Sequence, residues 1–187
     1  MTGYLRSLFF IVAMSIAALP ALAAEPDKIA VLDLKDGRVV IEMRPDLAPK
    51  HVARIRALIK DGYYDGLVFH RVIDGFMAQG GDPTGTGAGG SGVKLPAEFS
   101  RERHLRGTVS MARAENPNSA DSQFFIMFAP GPFLDGKYTI WGQVVQGMEF
   151  VDRIKRGDEA RGGMVRNPDK IVRMRMASDV PDFSLKK

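Results

Sequence analysis

The chain contains no cysteine. That excludes disulfides, thiolate nucleophiles, zinc–thiolate sites and lipidation at a bacterial lipoprotein cleavage site. An oxidising compartment is compatible with this. Histidine is scarce, and the three present, His51, His70 and His104, have neither i,i+4 nor His-Glu-x-x-His spacing. They read as structural residues, and no metal is expected. Ser91 and Ser122 lack a Gly-x-Ser-x-Gly frame and a neighbouring base, so nucleophilic catalysis has no support. Charge of one sign is also lacking, with 26 basic against 22 acidic side chains. The densest basic stretch, Arg153 to Arg175, is broken by Asp158, Glu159 and Asp169. It reads as a solvated face, and no nucleic-acid partner is expected.

Long apolar runs are absent except at the start. Met1 to Ser7 carries Arg6 and no acid, and Leu8 to Leu19 is almost wholly apolar. Pro20 and then Ala21-Leu22-Ala23 follow, the pattern of a signal-peptidase site cutting before Ala24. The run is shorter than the roughly 20 residues a membrane helix needs. Residues 1–23 are therefore read as a cleavable signal peptide, and 24–187 as one mature domain, soluble, monomeric and without membrane contact. An uncleaved anchor is the alternative. The expected location is a bacterial periplasm, with secretion as the other outcome. Cleavage removes Arg6 alone among charged side chains, so the net charge falls from +4 to +3.

The 187 residues, 45% hydrophobic and 26% charged, suit a single soluble domain with a sizeable core. Lys28 to Leu34 and Val39 to Met43 alternate around an Asp36-Gly37 turn signal and read as a hairpin. Pro49 to Gly62 reads as a helix burying Val52, Ile55, Leu58 and Ile59. A second helix is expected from Gly147 to Arg156, burying Met148, Val151 and Ile154. Strands are expected at Val68–Ile73, Met77–Gly80, Thr108–Met111, Gln123–Met127, Thr139–Val145 and through Val172, Met174 and Met176. About eight short strands and two helices indicate an all-β fold. Their spacing suits a barrel or a sandwich; full closure removes sheet edges, which favours a closed barrel with the two α-helices capping its open ends. Gly85-Thr86-Gly87-Ala88-Gly89-Gly90 matches a dinucleotide fingerprint formally, but Ser91 to Pro96 opens no helix, so a flexible surface loop is expected instead.

Three islands remain. Phe69-His70-Arg71-Val72-Ile73-Asp74-Gly75-Phe76-Met77-Ala78-Gln79-Gly80-Gly81-Asp82 mixes guanidinium, aromatic, thioether and amide side chains, an odd way to fill a core. Ser122-Gln123-Phe124-Phe125-Ile126-Met127-Phe128 and Phe133-Leu134-Asp135-Gly136-Lys137-Tyr138 follow downstream. In order and spacing, over about Lys28 to Ala177, they closely resemble the signature of the cyclophilins, the peptidyl-prolyl cis-trans isomerases. The resemblance implies an eight-stranded antiparallel closed barrel capped by two α-helices, with a substrate groove on its outer surface and a proline-containing polypeptide as substrate. It implies no cofactor.

It also implies roles for particular residues. Arg71, Phe76 and Gln79 would be catalytic, with Arg71 the donor to the proline nitrogen and Gln79 bonded to the substrate backbone. Phe76, Met77, Phe125 and Leu134 would form the proline pocket. Ala112, Arg113 and Ala114 would run beside the peptide, with Gln123 on the groove wall. Phe124 and Phe125 must point to opposite faces of a strand, and the family pattern gives Phe125 to the groove. Three positions depart from the best-known eukaryotic pattern: Arg113 replaces Asn, Phe133 replaces Trp and Tyr138 replaces His. Phe133 and Tyr138 keep aromatic bulk and would still serve substrate binding. Recognition of cyclosporin, the inhibitor the resemblance implies, is what these changes weaken. A binding module for proline-containing segments without turnover, or a domain that keeps the fold only, are the competing classes.

Overall fold

The computed structural model describes residues 25–185. The expected signal peptide lies outside the described residues. Eight strands occur in chain order, β1 Ile29–Leu34, β2 Gly37–Met43, β3 Arg71–Ile73, β4 Met77–Gly80, β5 Thr108–Met111, β6 Phe124–Met127, β7 Ile140–Gln146 and β8 Arg173–Met176. The helices are α1 Pro49–Lys60 and α2 Met148–Val151. All strand pairs are antiparallel, in the spatial order β3-β4-β6-β5-β7-β2-β1-β8.

The first hairpin turns at Lys35 and Asp36, one residue earlier than the sequence signal, with Leu34 opposite Gly37. Gly37 is required there because a Cβ would strike the Phe150 ring at 2.5 Å. Alternation sorts the hairpin's two faces. Ala30, Leu32, Leu34, Val39, Ile41 and Met43 join the main core beside the α1 residues Val52, Ile55, Leu58 and Ile59. Ile29, Val31 and Val40 form a second cluster with Ala177, covered by Val180, Phe183 and Leu185 of the C-terminal segment.

Helix α1 begins with Pro49 at its first position but has no side-chain cap from Ala48. The Glu98 carboxylate serves instead, accepting from the Lys50 and His51 backbone N–H groups at 3.1 and 3.0 Å. An anion at the N-terminus satisfies orphan donors and complements the helix dipole. At the other end Tyr63 N–H reaches the Leu58 carbonyl and left-handed Gly62 reaches that of Ile59, a Schellman stop. Helix α2 is shorter than expected. After Asp152 its bonds tighten to three-residue spacing, and the Lys155 N–H turns to the Asp169 carboxylate at 2.8 Å. Val151 within the helix and Ile154 beyond its end are buried as expected, while Met148 is only partly buried.

The continuous closed barrel is not found. Strands β3 and β8 end the sheet order, and no ladder joins them among the described residues. The sheet is open and curled. Left-handed Asn167 and then Pro168, which has no N–H, interrupt the chain where a ladder would run. Irregular main-chain bonds cross the gap instead, from Gly66 to Ile171, Ile171 to Leu67 and Phe69 to Asp169.

Asp33 ties β1 to both neighbours, accepting from Arg38 Nε at 2.8 Å and Arg173 Nε at 2.7 Å. Burial raises its pKa, but the two guanidinium partners outweigh this and hold it below the ordinary carboxylate value. A depressed folded pKa stabilises above the unfolded value, and that stability is lost as pH falls through the folded one. Both arginines are solvent-screened, so Asp33→Asn should cost about 1 kcal/mol at neutral pH. The difference from wild type should vanish in acid below the carboxylate range. Urea unfolding of both proteins at the two pH values checks this; an undiminished difference in acid would assign the effect to packing.

Candidate active site

Strand register assembles the site. Arg71 lies opposite Gln79, Gln79 opposite Phe125, and Phe125 opposite Ser110, so these four form one row across β3, β4, β6 and β5. Two residues along, Ile73, Met77 and Met127 form a second row on the same face. The intervening residues Val72, Ala78, Phe124 and Ile126 face the main core. Phe124 and Phe125 thus divide between core and groove as the alternation requires.

The outer rows make an apolar floor. Met77, Phe125, Met127 and Leu134 are buried together, with Ile73, Phe76, Ala112 and Tyr138 packed at the margin. Phe133 and Leu134 ride on the tight turn Pro132–Leu134, and Phe133 lies 61% exposed. Its ring meets Phe76 at 5.3 Å between centroids, and Tyr138 meets Phe125 edge-on at 5.8 Å. The resulting cleft has a volume of about 440 Å³. Arg71, Phe76, Met77, Gln79, Ala112 and Arg113 line it. So do Phe125, Phe133, Leu134 and Tyr138. Lys137 completes the lining and was not anticipated. Gln123 lies instead in an adjoining cleft of about 330 Å³, as does Ala114. Gln79, Ala112 and Arg113 form the ridge that the two clefts share.

Polar side chains on this face are held in a connected chain. Arg71 Nε donates to the Gly162 carbonyl at 3.0 Å, and Nη1 donates to Gln79 Oε1 at 3.1 Å. Gln79 Nε2 donates to Gln123 Oε1 at 2.9 Å. Gln123 Nε2 then donates to the Gly87 and Gly89 carbonyls at 2.9 and 2.8 Å. The glycine loop expected to be flexible is thereby tied to the site. Asp82 ties it further, accepting from the Thr84 and Gly87 N–H groups. An amide has two donors and two lone pairs. Gln79 therefore keeps one N–H and one lone pair for a peptide. Among the described residues Arg71 has no carboxylate partner, and its Nη2 makes no protein hydrogen bond.

Arg113 is not a free charge. Its guanidinium donates to the carbonyls of Lys137, Ala114 and Glu115 and lies 4.5 Å over the Tyr138 ring. Beneath the pocket, His104 stacks on Phe125 at 6.4 Å, with Nδ1 3.0 Å from Asp135 Oδ1. Burial pushes the His104 pKa down against the Asp135 hydrogen bond and charge, so a neutral ring is favoured. No local pattern announces this support, because its partners stand 31 positions apart. His51 is likewise paired with Glu98, at 2.7 Å. A guanidinium with no carboxylate partner, side-chain amides and an apolar floor make a site that can bind a peptide and stabilise a charge redistribution without moving a proton.

Comparison with known proteins identifies the family. Residues 29–176 match the family model for the cyclophilin type peptidyl-prolyl cis-trans isomerase/CLD. The chain is 55% identical over 181 residues to a probable peptidyl-prolyl cis-trans isomerase of Brucella suis biovar 1 (strain 1330), covering 90% of this chain and 92% of that one. It is 44% identical over 128 residues to peptidyl-prolyl cis-trans isomerase B of Bacillus subtilis (strain 168), covering 67% and 89%. The crystal structure of cyclophilin AquaCyp293 from Hirschia baltica superimposes with a TM-score of 0.76 at 30% identity, covering 86% of this chain and 77% of that one. A Cryptosporidium parvum cyclophilin, crystallised in the presence of the dipeptide Ala-Pro, gives 0.72 at 31% identity, covering 79% and 98%. The chain belongs to the cyclophilin-type peptidyl-prolyl cis-trans isomerase family, and its activity is the cis-trans isomerisation of peptidyl-prolyl bonds.

Proposed function

We propose that this isomerase acts on X-Pro bonds of exported proteins as they fold, as a soluble monomer in the periplasm, with Arg71 as its catalytic donor. The observation that carries the site reading is Arg71 itself, a carboxylate-free guanidinium on the row beside a buried apolar floor. Rotation about the amide must overcome about 18–20 kcal/mol of lost resonance without breaking a bond. In the twisted state the proline nitrogen regains a lone pair. A guanidinium donor fixed near it stabilises that state more than the planar one. A million-fold acceleration needs about 8 kcal/mol, and a single preorganised donor supplies about 3–4. The floor of Met77, Phe125 and Leu134 would supply the remainder by holding the ring while the preceding carbonyl rotates. Phe76 would close the pocket's edge, and Gln79 would engage the substrate backbone with its remaining N–H and lone pair. The Ala-Pro dipeptide used with the Cryptosporidium parvum cyclophilin supports a proline-containing substrate here.

The exported setting rests on the sequence of residues 1–23. Mass spectrometry of protein recovered from the periplasmic fraction should find a chain beginning at Ala24. The same sample should accelerate isomerisation of an Ala-Pro peptide in a protease-coupled assay. Full-length chain in the membrane fraction would favour the anchor, and peptide binding without acceleration would favour the binding module.

A further inference from the structure

The free edge of β3 is not bare. Gly157 N–H donates to the Val72 carbonyl at 2.9 Å, and Val72 N–H donates to the Gly163 carbonyl at 2.8 Å. Met164 forms bridges with both Arg71 and Asp158. Between these bonds the chain makes one tight turn, Glu159–Arg161, capped by Asp158 Oδ1 accepting from Ala160 N–H at 3.0 Å. Gly162 and Gly163 leave it in the left-handed region, at φ of 66° and 87°. Side chains are barred where the turn meets the sheet. A Cβ on Gly163 would lie 2.5 Å from Ile73 Cγ1, and one on Gly157 would overlap the Gly163 carbonyl. The Gly162 carbonyl is the one that accepts from Arg71 Nε.

We propose that the turn Asp158–Met164 is a positioning element of the active site, fixing the plane of the Arg71 guanidinium through the Gly162 carbonyl. The proposal rests on Arg71 being the catalytic donor. An arginine head on its flexible stem has several rotatable bonds, and one hydrogen bond leaves it free to swing. Two bonds to different nitrogens, Nη1 from the sheet side and Nε from the turn side, hold the plane and leave Nη2 for substrate. A donor held before the reaction needs no reorganisation during it. The turn reaches the site from 91 positions along the chain, with the Gly162 carbonyl on Arg71 and Gly163 against the β3 backbone and the Ile73 side chain.

A backbone carbonyl cannot be deleted, so the test moves it. Asp158→Ala removes the cap of the turn, Asp158→Asn keeps an acceptor, and Gly163→Ala forces the turn off Ile73. A misplacement of about 1 Å can cost up to about a hundredfold in rate. We therefore expect kcat to fall roughly tenfold in Asp158→Ala and at least that much in Gly163→Ala, with KM within about twofold. Asp158→Asn should restore kcat to near the wild-type value. In an Arg71→Ala background the same alanine changes should cost nothing further. Wild-type kcat in Asp158→Ala and Gly163→Ala, or a loss carried by KM, would overturn the proposal. Additive losses in the Arg71→Ala background would overturn the positioning role alone. Full turnover in Arg71→Ala by itself would overturn the site reading and the proposal with it.

Discussion

Arg71→Ala should lower kcat/KM for an Ala-Pro peptide by about a hundredfold or more while leaving the circular dichroism spectrum and unfolding midpoint nearly unchanged. The activity loss is the size expected when a preorganised donor to a developing charge is removed. The fold should tolerate the change because Arg71 stands on an edge strand and is only half-buried. Its two hydrogen bonds go to a neutral amide and a carbonyl, so no carboxylate is left unpaired. Gln79 loses one acceptor contact and keeps its bond to Gln123. Turnover and spectrum must be measured on one sample, since a misfolded variant would mimic the result. Near-native turnover in a folded variant would remove Arg71 from the mechanism and leave the apolar floor as the whole catalyst.

Phe133→Trp should tighten cyclosporin binding by about ten- to hundredfold. Indole has an N–H donor that a phenyl ring lacks. A ligand carbonyl that enters the groove without a donor is left unpaired, at roughly 1–3 kcal/mol, which corresponds to that change in affinity. The larger ring has space, because Phe133 is 61% exposed, with its ring tilted against Phe76 at 5.3 Å. Prolyl turnover should change much less, because it depends on Arg71 and the buried floor. Titration of the drug into both proteins measures the effect. An unchanged affinity would sink the indole account and shift attention to the neighbouring wall, where Arg113 is clamped over Tyr138 by three backbone carbonyls.

Local periodicity made much of this legible. The split of Phe124 from Phe125 follows from alternation alone, and the α1 stripe of Val52, Ile55, Leu58 and Ile59 follows from helical spacing. The family motifs named ten residues that line the main cleft and two more, Ala114 and Gln123, in the cleft beside it. What stayed hidden depends on contacts between distant segments. Nothing near Arg71 announces the Gly162 carbonyl, and nothing near Phe125 announces His104 and Asp135 beneath it. The tethering of the glycine loop by Gln123 was equally invisible, since glycine spacing says nothing about which carbonyls find a donor. Sheet closure was misjudged because a strand count does not reveal that Asn167 and Pro168 interrupt the last approach to β3. The length of α2 depended on Asp169 capturing the Lys155 N–H, a competition no helical pattern records.

The pairing of β1 with β8 has a consequence for the order of events during synthesis. Asp33 emerges from the ribosome early, and its partner Arg173 emerges 140 residues later. Until then β1 has only β2 beside it, and Met174 and Met176 are missing from the main core. Such non-local pairing makes folding slow, because loop-closure entropy is lost before the contacts that offset it can form. The nascent chain therefore carries an unfinished sheet until β8 has been made. A polypeptide built this way cannot complete its sheet segment by segment as it is made.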